Sequence, residues 1–242
     1  MNLLLLFERD RAGDRFRIDD DRGAHLERSG VDVGATLHVG LEDGPRGRAS
    51  VVARRGARFE LEATFDPEPP PRPGTRLVLA MPRPKALRRL LPQLVAFGLD
   101  ELVILRAWRV ERSYLESEVL SPDRLRASVR EGMMQGCLTW TPRVVVAPRF
   151  LPWVEAEADR RIPGEARWVA HPRAPRLSSP RPHARSALAL GPEPGWLDRE
   201  IESLKGADYR PFSVDAGILR LETAAIAALA QIRLLRHLPG PT

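Results

Sequence analysis

Residues 66–74 read Asp-Pro-Glu-Pro-Pro-Pro-Arg-Pro-Gly, five prolines in nine positions. Each proline fixes its φ angle and removes a backbone donor, so this stretch can join neither a helix interior nor a sheet interior. It is a stiff, extended linker over residues 67–74, and it splits the 242-residue chain into two parts that each need a core. Before it, short runs at Leu3–Phe7, Arg15–Ile18, Thr36–Val39, Ala49–Ala53 and Phe59–Ala63 alternate with glycines at 13, 30, 34, 44, 47 and 56. That spacing predicts a small β-barrel over residues 1–66, with one helical turn at His25–Arg28.

After the linker the period changes. Leu77–Met81, Glu101–Leu105, Arg143–Ala147, Arg167–Ala170, Ala187–Leu190 and Arg210–Val214 read as strands. The runs at Leu77–Met81 and Glu101–Leu105 are continuous rather than alternating, as in strands buried on both faces. Between them, Ala86–Phe97, Pro122–Met134, Val154–Arg160 and Leu197–Lys205 have helical spacing, and Glu222–His237 closes the chain as a helix. Strand–helix alternation of this kind predicts an α/β domain with a parallel sheet over residues 75–242. His171–His183, rich in proline and serine, is predicted to be an exposed loop.

The formal net charge is +6, which favours an anionic partner such as nucleic acid. Only Lys85 and Lys205 are lysines, so the charge is nearly all arginine. The lone Cys137 excludes an intrachain disulfide, and no Cys/His group has metal-ligand spacing, so no metal is expected. The apolar run at Leu3–Phe7 is too short for a signal peptide, and no stretch is long enough to span a bilayer. A cytoplasmic protein without membrane contact is expected.

In open α/β sheets, ligands bind beyond the carboxyl ends of the strands. Three such ends carry unusual loops: Ala170-His171-Pro172; Leu190-Gly191-Pro192-Glu193-Pro194-Gly195-Trp196; and Ser213 to Arg220, which enters a helix at Leu221-Glu222-Thr223-Ala224. In the second loop, Pro192 and Pro194 stiffen the chain and remove N–H donors. A donor-poor loop suits a purine edge or a bent cofactor better than a pyrophosphate, which needs many N–H groups. Arg220 and Glu222 sit at a helix start, where either could equally be structural.

The run Leu190-Gly-Pro-Glu-Pro-Gly-Trp196, then Glu200, then Ile218-Leu-Arg-Leu-Glu-Thr-Ala224 resembles the paired motifs of the ribosomal RNA small subunit methyltransferase E family. Met81-Pro-Arg-Pro-Lys85, Phe97-Gly-Leu-Asp-Glu101, Glu111-Arg112-Ser113 and Gln135 extend the likeness over the whole chain. The resemblance implies a SPOUT fold with a trefoil knot, preceded by a PUA-like β-barrel, and a homodimer. It implies S-adenosyl-L-methionine (SAM) as cofactor, and N3 of a uridine in 16S rRNA of the small ribosomal subunit as target. By the same likeness, Ala170, His171, Pro172, Leu190, Gly191, Pro192, Glu193, Gly195, Ile218, Leu219, Leu221, Thr223 and Ala224 would hold the cofactor.

Arg220 and Glu222 would then serve the reaction, with Glu222 orienting Arg220 or accepting the N3 proton. Arg83, Lys85, Arg112 and His25 would contact RNA. The chain departs from the family pattern at Pro194, Trp196, Asp215 and Gly217, and it lacks the usual leucine–arginine pair after His25. Two alternatives stay open: a catalytically degenerate RNA-binding or ribosome-assembly factor of the same fold, and a SPOUT methyltransferase acting on another RNA nucleotide.

Overall fold

The computed structural model describes residues 2–160, 162–177, 185–215 and 217–237, which form two compact units. The first comprises residues up to 72 together with 129–141; the second comprises 73–128 and the rest from 142. Residues 178–183 of the predicted loop His171–His183 lie outside the described residues.

The first unit holds strands β1 (Leu4–Leu6), β2 (Arg11–Ala12), β3 (Arg15–Ile18), β4 (Thr36–Leu41), β5 (Arg46–Arg55) and β6 (Arg58–Phe65). They form one sheet in the order β1-β4-β5-β6-β3-β2, antiparallel except for β1 against β4. Both β1 and β2 are edges, so the strands curl into a half-barrel. Leu4, Leu6, Phe16, Ile18, Val39, Val51, Phe59 and Leu61 fill its concave side with Leu26 of α1 (Asp21–Arg28). Asp20 caps that helix by accepting from the Arg22 N–H. The Arg22 side chain is itself buried, forked onto Asp10 at 2.6 and 2.8 Å and onto Asp20 at 2.7 Å. The two-residue β2 was missed because so short a pairing leaves no period to read.

The second unit is a six-stranded, wholly parallel sheet in the order β12-β10-β11-β7-β8-β9. Its strands are β7 (Thr75–Ala80), β8 (Glu101–Leu105), β9 (Arg143–Ala147), β10 (Glu165–Ala170), β11 (Arg185–Leu190) and β12 (Arg210–Phe212). Central β7 and β8 are buried at every residue, which explains their unbroken apolar runs. Pro211 is tolerated because β12 is an edge strand. Its helices are α2 (Pro84–Ala96), α4 (Phe150–Asp159), α5 (Asp198–Gly206) and α6 (Leu221–His237), while α3 (Pro122–Gln135) is divided between the units at residue 129. Pro84 opens α2 at a position where its missing N–H costs nothing. Helix α2 packs on α6, and α4 on α5. Helix α4 starts four residues before the predicted Val154, because the apolar Phe150 and Leu151 extend its inner face.

The amino ends of the strands are tied by buried charge. Arg76 of β7 donates to Glu101 of β8 at 2.9 Å, to Glu157 of α4 at 2.7 and 2.8 Å, and to Glu165 of β10 at 2.8 and 3.0 Å. Arg167 of β10 donates to Glu165 and to the carbonyls of Glu157 and Ala207. The Tyr209 hydroxyl completes the group on Glu157 at 3.4 Å. Burial alone would push the Arg76 pKa down; the charges of Glu157, Tyr209 and Glu165 outweigh it and hold it above its ordinary value. Burial likewise pushes Glu101 up, and the hydrogen bonds of Arg76 and Arg160 bring it below its ordinary 4.5.

Removing Arg76 would leave three buried carboxylates without their shared cation. An Arg76→Ala variant is expected to lose about 3–5 kcal/mol of unfolding free energy in urea. Glu101 binds a proton less readily folded than unfolded. Its contribution is therefore present above pH 4.5 and is lost as pH falls through the lower folded value. Urea midpoints measured down a pH series should fall in that window for the wild type, and less steeply for Glu101→Gln.

Candidate functional site

At the opposite, carboxyl ends of the strands, the three predicted loops converge on one cavity of about 550 Å³. Its wall includes Ala170, His171 and Pro172 after β10; Leu190, Gly191, Pro192, Glu193 and Gly195 after β11; and Ile218, Leu219, Leu221 and Ala224 around the start of α6. Of the predicted cofactor residues only Thr223 is not in the wall; it is exposed on the first turn of α6. Sequence reasoning missed wall residues outside those loops, among them Arg109 and Asp198. Arg109 comes from the loop after β8, two residues before the Glu111-Arg112-Ser113 run, and is not itself part of any motif.

The loop after β11 is held from every side. Gly195, at φ 76°, turns the chain in the left-handed region where glycine costs least. Its N–H closes a turn onto the Pro192 carbonyl at 2.7 Å. Arg109 donates to the Pro194 carbonyl at 2.6 Å. The Glu193 carboxylate accepts from the Arg83 N–H at 3.1 Å, so it anchors the loop to the end of β7. Gly191 lets the Trp196 indole pack on bare backbone: a Cβ there would lie 3.0 Å from the ring. The departures at Pro194 and Trp196 thus fit the loop, one through a carbonyl and the other through a ring.

Behind the loop stands Glu200, fully buried in α5. One of its oxygens accepts from the Leu197 N–H at 2.7 Å and the other from the Trp108 N–H at 2.8 Å. A single carboxylate thereby joins the loop after β11 to the loop after β8. The third segment is tied too: Ser213 N–H donates to the Pro175 carbonyl at 2.7 Å, and Gln231 of α6 to the Val214 carbonyl at 2.8 Å.

The remaining predicted site residues lie outside the wall. Arg220 precedes the first residue of α6; its side chain is exposed, and its carbonyl accepts from the Ala224 N–H at 2.8 Å. Glu222 pairs with Arg89 of α2 at 3.7 Å rather than with Arg220. On the first turn of α6, Glu222 thus faces α2. Arg112 is exposed and lies 3.7 Å from Glu116. Arg83 and Lys85 are exposed beside α2, whereas His25 is half-buried in α1 of the first unit.

Glu200 is acceptor-only at both oxygens. In a Glu200→Gln variant one oxygen becomes an NH2 group facing a backbone donor. The expected cost is about 1–3 kcal/mol of stability, read as a lower urea midpoint, with a red shift of tryptophan emission as Trp196 loosens.

The sequence matches the family described as RNA methyltransferase domain over residues 69–233. The ribosomal RNA small subunit methyltransferase E 1 of Borreliella burgdorferi is 24% identical over 156 residues, 63% of either chain, so this chain spans just under two thirds of that relative. The corresponding enzyme of Treponema pallidum is 24% identical over 226 residues, 90% of this chain and 84% of that protein. Among solved structures, the ribosomal RNA small subunit methyltransferase E of Neisseria gonorrhoeae, bound to S-adenosyl methionine, superposes with a TM-score of 0.75 at 18% identity, over 96% of this chain and 98% of that one. A probable rRNA-methyltransferase of Porphyromonas gingivalis gives 0.75 at 20% identity, over 98% of each. These likenesses show a shared α/β fold, and, by the match over most of its length, the chain belongs to the RNA methyltransferase domain family.

Proposed function

We propose that this protein transfers the methyl group of SAM to N3 of a uridine in 16S rRNA of the small ribosomal subunit. The observation that carries the reading is the convergence of three strand-end segments on one cavity in a chain of this family. The relatives named as small subunit rRNA methyltransferases support the substrate, and the SAM-bound Neisseria structure supports the cofactor.

The donor set of the wall fits that cofactor. Pro192 and Pro194 offer no N–H, and the Gly195 N–H is spent within the loop. Such a wall suits a neutral purine edge, whose amino group donates, and it disfavours a diphosphate. Ala170–Pro172, Leu190–Gly195 and Ile218–Ala224 would hold the cofactor, and Asp198 offers a carboxylate to an ammonium group. When bound, the cofactor supplies a methyl group already activated by its sulfonium.

The protein's own work is then to position the base and to manage charge. Uridine N3 carries a proton at neutral pH, and its loss spreads negative charge onto the uracil oxygens. Arg220 lies between two wall residues, Leu219 and Leu221, with an exposed guanidinium that stays charged and offers a planar fork to those oxygens. Glu222, on the first turn of α6, orients Arg220 or accepts the N3 proton once RNA is bound. The base leaves its stack to reach the cavity.

Larger features follow the same reading. The order β12-β10-β11-β7 sets β10 between two strands that follow it in sequence, which supports a trefoil knot closed by the segment before α6. The half-barrel corresponds to the PUA-like module. Ile218, 90% exposed at the cavity wall, is an apolar residue that a second copy in a homodimer would cover. Residues 1–72 carry 12 arginines against 14 carboxylates, whereas the second unit carries 25 basic residues against 17 acidic ones. RNA contact therefore rests chiefly on the second unit, including Arg83, Lys85 and Arg112, with His25 contributing from the half-barrel. The protein works in the cytoplasm, where ribosomal subunits are found.

The test incubates the protein with labelled SAM and small ribosomal subunits lacking the modification, then maps the product by reverse transcription. A single new stop at a 16S uridine is the expected result. Arg220→Ala should lower kcat by about a hundred- to a thousandfold with SAM affinity unchanged. Label on a different RNA would replace the substrate, absence of SAM binding by calorimetry would leave an RNA-binding factor, and full activity of Arg220→Ala would remove that residue from the mechanism.

A further inference from the structure

A second cleft opens on the far side of the Trp196 ring. It lies beyond the carboxyl ends of β8 and β9, measures about 300 Å³, and is lined by Arg106, Trp108, Arg149, Phe150 and Leu151 among others. Trp108 is 44% and Leu151 43% exposed, unusual for large apolar side chains in a polar surface. The Trp108 and Phe150 rings lie 5.6 Å apart, and Phe150 lies 6.0 Å from Trp196, which lines the cofactor cavity. One row of three rings thus separates the two spaces.

The charge here is unbalanced. Among the described residues neither Arg106 nor Arg149 has a carboxylate partner, and the Arg106 Nε is buried with no hydrogen-bond acceptor. The Arg199 guanidinium stacks on Trp108 at 4.2 Å, also without a carboxylate partner. Arg149 sits at the start of α4, where no side chain caps the helix. The first turn therefore offers unsatisfied N–H groups and the positive end of the helix dipole. Exposed aromatic faces, spare guanidinium groups and an uncapped helix start together match a stacked base with its phosphate.

We propose that this cleft binds one nucleotide of single-stranded RNA flanking the methylated base. Trp108 stacks the base, and Arg106, Arg149 and the first turn of α4 take a phosphate. Glu200 holds the Trp108 backbone and the cofactor loop on one carboxylate, so the cleft sits at a fixed distance from the cavity. The polymer named here rests on the reading of the chain as an RNA methyltransferase; the cleft itself rests on its own residues.

The test uses the full chain and two variants, Trp108→Ala and Arg149→Ala, whose side chains carry no hydrogen bond that the fold needs. Binding of a labelled single-stranded oligouridine is followed by anisotropy across a salt series, and methyl transfer to small ribosomal subunits is followed in parallel. Trp108→Ala should weaken oligouridine binding by about tenfold or more. Arg149→Ala should lower the slope of log affinity against log salt by about 0.7. Both should raise KM for subunits with kcat and SAM affinity little changed. Wild-type binding of oligouridine that Trp108→Ala weakens, without any methyl transfer, would sustain the cleft and sink the proposed reaction. Methyl transfer with an unchanged KM and unchanged oligouridine affinity in both variants would overturn the cleft. Unchanged RNA affinity with a shifted mass by light scattering would reassign it to a contact between copies of this chain.

Discussion

The buried guanidinium of Arg76 is the constraint on which the parallel sheet depends. It is bound to carboxylates from β8, β10 and α4 at once. A parallel sheet is assembled from strands distant in sequence, and hydrophobic burial alone tolerates slips between neighbouring strands. An ion cluster does not, because a displaced strand would leave a charge buried and unpaired at a cost of several kcal/mol. The residues joined here span positions 76 to 209, so one cluster ties nearly the whole domain at its amino-end face. The apolar strand interiors supply stabilisation; the cluster supplies register.

That division leaves the other face free. With register set at the amino ends, the carboxyl ends can carry loops selected for shape. The loop after β11 shows how little of it is optional: two glycines, two prolines, an anchored glutamate and a ring packed on bare backbone, with Glu200 fixing it from behind. Rigidity of this kind is what a methyl transfer asks of its protein. The methyl donor needs no activation, so positioning carries much of the rate enhancement, up to roughly 7–11 kcal/mol.

The sequence revealed these features unevenly. Period and punctuation found every strand of the parallel sheet and every helix of 13 residues or more, because β7, β8 and α2 follow one rule along their length. The three cavity loops were legible from glycine and proline at strand ends. What could not be read was anything decided by partners remote in sequence. Glu200 was legible only as one member of a motif run, yet the N–H groups it accepts from belong to residues 108 and 197. Glu222 looked like a partner for Arg220, yet Arg89 on another helix takes it. The sheet of the first unit was expected to close and instead keeps two edges, since closure depends on strand tilt and stagger that spacing does not encode.

Arginine makes the same point quantitatively. The net charge of +6 says little by itself, because the chain uses arginine for opposite ends. Arg22, Arg76 and Arg167 are buried and saturated by carboxylates and carbonyls, and they contribute nothing to an external field. Arg106, Arg149 and Arg199 are the reverse: spare donors around aromatic rings, close to the loop after β11. Composition counts the two kinds alike. Only the pairing separates them, and it places the spare charge beside the cavity, on the unit that already carries the protein's basic excess.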